Sequence, residues 1–155
     1  MAAQTSPELV ELVERVQAAY GHACFACGRH NLSGLHLRLA GLEGDWIVGE
    51  FEPADHHRGA PDVLHGGIAA TALDEILVWA GIASCHVMTV TGTLNLRYRK
   101  PLGVGSPITA RARVVERRGR RMTMEGALEV DGATATEASG LYLVTATIDE
   151  VLAGT

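Results

Sequence analysis

The segment from His65 to Glu75 holds the residues whose types and spacing are best suited to chemistry. Gly66 and Gly67 open an apolar helical stretch, and Asp74 lies in its middle. The first N–H groups of a helix lack partners within the helix and attract negative charge, so Gly66 can stabilise an oxyanion. Burying a carboxylate among apolar side chains is costly, and active sites often place an acid or base in this way. The pattern is therefore suited to stabilising an oxyanion at the start of the helix and to an acid or base at Asp74.

Each of these residues also has a structural interpretation. The glycine pair permits close packing of the helix against a sheet, and Asp74 can lie on an exposed stripe beside Glu75. Adjacent helical residues point about 100° apart, so only one of the two acids faces a given site.

The spacing of Gly66 and Asp74 makes a demand on assembly. Eight residues separate them, which is about 12 Å along a helix axis at 1.5 Å per residue, so they cannot contact the same carbonyl. A two-fold dimer that sets two such helices side by side places Gly66 of one chain near Asp74 of the other. We therefore expect the active site at a dimer interface and an inactive monomer.

A turn-rich segment near the N-terminus contains four good zinc ligands within nine residues, His22, Cys24, Cys27 and His30. Structural zinc sites usually draw their ligands from two separated segments, and one segment this short closes around the ion only with strain. We therefore expect no metal here. The favoured alternative to a zinc site is that Cys24 and Phe25 pack against the sheet while Gly28 turns the chain.

The elements that must position these residues follow from the hydrophobic pattern. Ser6 and Pro7 suit a helix start and Gly21 its end, which predicts an amphipathic helix over about 7–20. The helix over about 65–83 is apolar nearly all round and is expected to be wrapped by protein. Strands are predicted at 35–39, 46–51, 87–99, 107–117, 122–130 and 134–147, with a polar loop at 53–64. This order predicts an α+β fold, a curved antiparallel sheet around one buried helix.

Four segments together resemble a known family. They are His65-Gly66-Gly67 followed by Asp74, the strand 95–101 with its Tyr-x-x-Pro ending, the turn 103–106, and Cys24 to Gly28 with Asn31, Gly34 and Leu35. In this order they resemble the PaaI-like branch of hotdog-fold thioesterases, in the 4-hydroxybenzoyl-CoA thioesterase superfamily. The resemblance runs from about residue 22 to 146. It implies a single hotdog domain over 1–155, with the helix at 7–20 added in front.

The resemblance also implies roles for individual residues. Asp74, selected over its neighbour by its spacing from His65, is either the general base or a nucleophile that forms an anhydride. Gly66 polarises the thioester, with Gly67 beside it at the helix start. His65 either fixes the glycine loop or the carbonyl, or simply caps the helix. Thr91 aligns with a hydroxyl residue that orients the attacking water, although threonine is also a common strand former.

One position departs from the family pattern. Gly59 falls where some relatives have an asparagine that holds the reacting group. Nearby His56, His57 and Arg58 are possible substitutes, and a solvated loop is the plainer account of all three.

Arginine recognises the phosphates of a CoA tail through its planar fork of donors. Arg97 ends one strand, while Arg120 and Arg121 lie at a hairpin, and antiparallel neighbours can bring such groups to one edge of the sheet. We expect Asn95, Arg97, Tyr98, Arg120 and Arg121 to bind substrate. Solvated turns are the alternative for the arginines.

Composition excludes several classes of protein. The 155 residues are 47% hydrophobic, enough for a substantial core, and the net charge of −5 offers no general attraction for nucleic acid. The N-terminus lacks the pattern of a signal peptide, and the apolar helix is interrupted by Asp74 and Glu75, so no membrane span is expected. With three cysteines and no export signal, we expect reduced thiols in the cytoplasm.

The function favoured by these residues and the resemblance is hydrolysis of an acyl-CoA or aroyl-CoA to the free acid and CoA, without a cofactor. A homodimer is expected, with dimers pairing further into a homotetramer. One alternative is a non-catalytic acyl-CoA-binding or regulatory module, which would need no acid at position 74. A less favoured alternative is an acyl-thioester dehydratase, which uses a histidine near the helix together with an acid.

Overall fold

The computed structural model describes residues 3–20 and 22–154. Its helices are α1 (Pro7–Tyr20), α2 (Gly66–Cys85) and α3 (Ile148–Ala153), with a 3-10 turn at Asp55–His57. Its strands are β1 (Arg38–Glu43), β2 (Trp46–Phe51), β3 (Arg58–Ala60), β4 (Val63–Leu64), β5 (Val87–Tyr98), β6 (Ile108–Arg118), β7 (Arg121–Val130) and β8 (Ala133–Thr147). The predicted helix over 7–20 is present, and its predicted end at Gly21 lies outside the described residues.

Six strands form one antiparallel sheet in the order β1-β2-β6-β7-β8-β5, and β3 pairs with β4 in a separate ribbon. The long helix α2 packs against this sheet, mainly on β5, β6 and β7. Leu73, Ile76 and Leu77 of α2 are fully buried in the core, together with Met124 and Tyr142 of the sheet. The predicted antiparallel sheet around one buried helix is therefore confirmed, and β5 lies at its edge.

By length and composition alone, α2 could cross a membrane, contrary to the expectation that Asp74 and Glu75 exclude it. Core helices of soluble proteins meet the same criterion, and half of the most apolar part of α2 is buried inside the fold. Packing in the core is thus a sufficient reason for its apolar sequence.

The predicted strand at 35–39 is wrong in its placement, because β1 begins only at Arg38. The Leu35 and Leu37 N–H groups donate instead to the carbonyls of Phe25 and Ala26, and His36 between them has a positive φ of 52°. Both leucines are buried, so the alternating pattern predicted their burial correctly. It did not indicate which segment accepts the hydrogen bonds of their backbone N–H groups.

Two regions contain elements that the sequence pattern did not predict. The predicted loop at 53–64 holds the short ribbon of β3 and β4. After β8 the chain forms α3, where Thr147 is the N-cap and forms a reciprocal capping box with Glu150.

Candidate active site

Asp74 is half-buried on α2, and two hydroxyl groups hold its carboxylate. Its Oδ1 accepts a hydrogen bond from Thr91 Oγ1 at 2.7 Å and another from the Tyr142 hydroxyl at 2.8 Å. Among the described residues, Oδ2 receives no protein donor, so it is open to water or a ligand. Burial, together with the negative charge of Asp74, raises the pKa of Tyr142, so this phenol stays a donor.

The structure thus joins two predicted residues, Asp74 and Thr91, and adds Tyr142, which the sequence analysis missed. Tyr142 is fully buried and lies 68 residues from Asp74 in sequence. Its place in the alternating pattern of β8 indicates a core side chain. A buried tyrosine usually needs a hydrogen-bond partner, and this was the only available signal.

The N-terminus of α2 distinguishes the two glycines. His65 is the N-cap, and its Nδ1 accepts the Gly67 N–H at 2.9 Å. Within the described chain, the Gly66 N–H donates to no protein group, and Gly66 is exposed. Of the two predicted glycines, Gly66 therefore offers a free donor, whereas the donor of Gly67 is already used by the cap.

Tyr98, the last residue of β5, anchors the N-terminus of α2. Its hydroxyl donates to the Gly66 carbonyl at 2.7 Å. A Cβ built on Gly66 would meet the Tyr98 ring at an ordinary 3.6 Å. Tyr98, Gly66 and Lys100 line a cavity of about 290 Å³. The Tyr98 side chain thus fixes the carbonyl of Gly66 and borders the space next to it.

Asn95 and Arg97 lie on the outer face of the sheet, away from α2. With Arg111 and Trp46 they line a separate, open depression of about 740 Å³. These two predicted substrate-binding residues are therefore not brought to Asp74 within one chain.

The expectation that the two arginine groups meet at one edge of the sheet is wrong. Arg121 pairs with Leu143 of β8, whereas Arg97 pairs with Glu137 of the same strand. Six residues of β8 separate these partners, a distance of about 20 Å at 3.3 Å per residue. The Arg120 side chain also donates to the Val144 carbonyl at 3.0 Å, so within one chain both hairpin arginines lie at the far end from Arg97.

Gly59 and its neighbours form part of the loop before α2. A Cβ on Gly59 would lie only 3.0 Å from the His65 ring, so this glycine permits the close approach of β3 to the N-cap. His57 is buried, and its Nδ1 accepts a hydrogen bond from the Ala54 N–H. The Nε2 atoms of His57 and His56 both hydrogen-bond to the Ser33 carbonyl. Arg58 forms an ion pair with Asp55. These contacts agree with a structural role for the loop.

Known proteins share this fold and parts of this sequence. A Streptococcus mutans protein solved bound to acetyl-CoA superposes with a TM-score of 0.66 at 19% identity, covering 72% of this chain and 90% of that one. A mutant of the phenylacetic acid degradation protein PaaI from Thermus thermophilus superposes with a TM-score of 0.63 at 23% identity, covering 70% and 93%. These likenesses show that the fold is the hotdog fold, as predicted.

Sequence comparison shows which family this chain is similar to. Mouse acyl-coenzyme A thioesterase THEM4 is 28% identical over 98 residues, which cover 62% of this chain and 42% of that protein. This chain therefore spans less than half the length of that relative. The model of the thioesterase superfamily matches residues 62–137, which include α2 and β5. This match covers just under half of the chain.

Glu75 points away from Asp74, as the 100° between adjacent helical residues predicts. Its Oε1 accepts a hydrogen bond from Trp79 Nε1 at 2.9 Å, and Oε2 lies 3.8 Å from Cys24 Sγ. Burial raises the pKa of Glu75 to about 7. The predicted choice of Asp74 over Glu75 for the site beside β5 agrees with these contacts.

Cys24 and Cys27 lie beside Glu75, and not beside the histidines that were grouped with them as possible zinc ligands. Cys24, Cys27 and Glu75 have potential ligand atoms within 4.8 Å of one another. The rings of His22 and His30 are exposed and stack on each other, 4.6 Å between centroids. The sequence analysis missed Glu75 as a neighbour because 48 residues separate it from Cys27.

Proposed function

We propose that this chain hydrolyses the thioester bond of an acyl-CoA or aroyl-CoA, with Asp74 as the general base or the nucleophile. The observation that carries the proposal is the Asp74 carboxylate, oriented through one oxygen by Thr91 and Tyr142 with the other oxygen open. The match of residues 62–137 to the model of the thioesterase superfamily supports the reaction class. The mouse acyl-coenzyme A thioesterase and the acetyl-CoA-bound neighbour support the class of substrate.

The reaction needs a donor for the oxygen of the thioester carbonyl, and we assign this role to the Gly66 N–H. Its position at the start of α2 adds the favourable field of the helix dipole to the hydrogen bond. The cap by His65 and the anchor by Tyr98 hold the Gly66–Gly67 peptide group, which directly follows this N–H, in place. A preorganised donor of this kind stabilises the oxyanion without reorganisation during the reaction.

The active site is shared between two chains in this proposal, and β5 supplies the contact. This exposed edge strand of twelve residues can pair with a second copy, as unpaired edges readily do. Gly66 contacts Tyr98 at one end of β5, and Asp74 contacts Thr91 towards the other. Antiparallel pairing centred near Leu94 exchanges the two ends, which sets Gly66 of one protomer opposite Asp74 of its partner.

The same pairing provides cations for the CoA phosphates. Lys100 and Arg99 border the cavity beside Gly66, and Arg99 also binds Glu137 at 2.8 Å. Because antiparallel pairing sets opposite ends of the two β5 strands side by side, it brings Arg120 and Arg121 of the partner subunit towards this cavity. The arginine groups that lie about 20 Å apart within one chain then act on one ligand across the interface.

The chemistry follows from these positions. Asp74 takes a proton from water as the oxygen of that water bonds to the thioester carbon, or its carboxylate attacks that carbon directly and water cleaves the resulting anhydride. In both routes the Gly66 N–H stabilises the oxyanion and the carbon–sulfur bond breaks. In the first route Asp74 gives its new proton to the departing CoA sulfur; in the second, CoA leaves as the thiolate, and the water that cleaves the anhydride supplies its proton and restores the Asp74 carboxylate. The products are the free acid and CoA. Tetramer formation and a location in the cytoplasm remain parts of this proposal.

The test compares wild type with Asp74→Asn on a panel of acyl-CoA and aroyl-CoA thioesters, by release of CoA thiol. A reaction without substrate corrects for the three free cysteines. Asp131→Asn is the matched control, because Asn is equally suited to the hairpin turn before Gly132, where Asp131 has a φ of 51°.

We expect Asp74→Asn to lose activity by at least about a hundredfold, with the control unchanged. If wild type binds an acyl-CoA but releases no thiol from any of the panel, the chain is a binding module and the proposal fails. If Asp74→Asn hydrolyses as fast as wild type, the chain is a hydrolase with a different active site.

A further inference from the structure

Cys24, Cys27 and Glu75 form a thiol–carboxylate cluster outside the candidate active site. Their potential ligand atoms lie within 4.8 Å of one another, and Cys24 Sγ is 3.8 Å from Glu75 Oε2. Zinc binds sulfur at about 2.3 Å and carboxylate oxygen at about 2.0 Å, so tetrahedral geometry sets sulfur and oxygen ligands about 3.5 Å apart. The cluster thus has the dimensions of three ligands around one ion.

The turn from Cys24 to Gly28 holds both cysteines on one short loop. The Gly28 N–H donates to the Cys24 carbonyl at 2.9 Å. A Cβ on Gly28 would lie 2.5 Å from the backbone N and O of Cys24, so this turn requires glycine. The turn thus holds the two sulfur atoms within 4.8 Å of each other.

Glu75 contributes a ligand from a second, distant segment. Its Oε1 is held by the Trp79 indole, which leaves Oε2 directed at the cysteines. Ligating carboxylates typically have such an outer hydrogen bond, because it fixes the orientation of the ligand. The objection that one short segment cannot close around zinc therefore does not apply, since α2 supplies the third ligand.

We propose that Cys24, Cys27 and Glu75 bind one zinc ion that ties the N-terminal segment to α2. The two thiolates select zinc over magnesium and calcium. Three protein ligands leave the fourth tetrahedral position to water, since no other described His, Cys, Asp or Glu joins the cluster. The site is independent of the proposed hydrolysis, although Glu75 follows directly after Asp74.

The first experiment measures the metal in the full-length protein. Protein purified under reducing conditions is analysed for bound metal, stripped with a chelator, and titrated with Zn²⁺ in competition with a chromogenic chelator. Titration with Co²⁺ gives a thiolate charge-transfer absorption if the cysteines are ligands. The variants are Cys24→Ser, Cys27→Ser and Glu75→Gln. Cys85→Ser is the matched control, because Cys85 is a free thiol outside the cluster.

We expect about one zinc per chain in wild type and in Cys85→Ser, with the thiolate absorption in both. Each cysteine variant should lose this absorption, and Glu75→Gln should bind zinc at least about tenfold more weakly. Stripping wild type should lower its thermal stability, and zinc should restore it.

Two results would overturn the proposal without any variant. One is that reduced, stripped wild type fails to bind Zn²⁺. The other is a disulfide between Cys24 and Cys27 that persists in protein purified under reducing conditions, seen as a mass lower by two hydrogen atoms, because the pair is then a redox dithiol. Unchanged affinity in Glu75→Gln would overturn the assigned ligand set.

Discussion

Thr91 and Tyr98 hydrogen-bond to the same helix from one strand, although seven residues separate them. Side chains in a regular strand alternate between faces, so residues seven apart point to opposite sides. The pairing of β5 with β8 shifts register between Thr91 and Thr93, which places a bulge at Gly92. The bulge reverses the alternation, and both hydroxyls therefore face α2.

Removal of either hydroxyl that binds Asp74 should slow hydrolysis. In Thr91→Val and Tyr142→Phe, Oδ1 loses one donor, and a hydrogen bond to a charged group contributes about 1.5–3 kcal/mol. We expect kcat/KM to fall about tenfold or more in each variant. Steady-state CoA release measures this loss.

Thr123→Val and Tyr20→Phe are the matched controls for these substitutions, because both residues are exposed and lie outside the site. A result in which Thr91→Val and Tyr142→Phe react like the controls would contradict the assigned role of the Asp74 environment.

Two substitutions at Gly66 separate its N–H from its small size. Proline is well tolerated at the first helical position and lacks the N–H, and the extended backbone of His65 suits the residue before a proline. Alanine keeps the N–H and meets the Tyr98 ring at an ordinary 3.6 Å. We expect Gly66→Pro to lose about a hundredfold or more in kcat, with Gly66→Ala close to wild type.

Circular dichroism and thermal unfolding check that both Gly66 variants keep the fold. Equal losses in the two variants would indicate that space beside Tyr98, and not the N–H, is what the reaction requires.

Mixing two inactive variants tests whether the active site is shared. In a heterodimer of Gly66→Pro and Asp74→Asn, one of the two sites combines an intact Gly66 with an intact Asp74. Random re-association of equal amounts should therefore restore about a quarter of wild-type activity.

This measurement requires exchange of subunits, which mass spectrometry of differently tagged chains can follow. Confirmed heterodimers without regained activity would show that each site lies within one chain.

The capping box of α3 should make stability depend on pH. The Glu150 carboxylate accepts the Thr147 N–H at 2.8 Å, and this hydrogen bond lowers the pKa of Glu150 below 4.5. A folded-state pKa below the unfolded value stabilises the fold above pH 4.5, and this contribution is lost as pH falls through the folded-state pKa. We expect Glu150→Gln to lower Tm at pH 7 and to differ less from wild type near pH 3.

Thermal unfolding of both proteins over this pH range makes the comparison. A deficit of the same size at both pH values would mean that the charge of Glu150 has no part in the cap.

The sequence by itself determined the main elements and the spacing of the candidate residues on α2. The helix is apolar on nearly all sides, which is typical of a helix surrounded by protein. This pattern can be read without knowing the order of the strands around it. The positions of Gly66 and Asp74 are equally local, since a helix fixes their separation at about 12 Å. The N-cap role of His65 also follows from residues close to it in the chain.

Only the tertiary structure decided which distant residues meet. Tyr142 reaches Asp74, and Glu75 faces Cys24, across long separations in sequence. Arg97 near the end of β5 and Arg121 at the start of β7 lie far apart, because the register of these strands pairs them with different ends of β8. Periodicity reports which side of an element is buried, whereas register and partner depend on packing between remote segments, which no local pattern encodes.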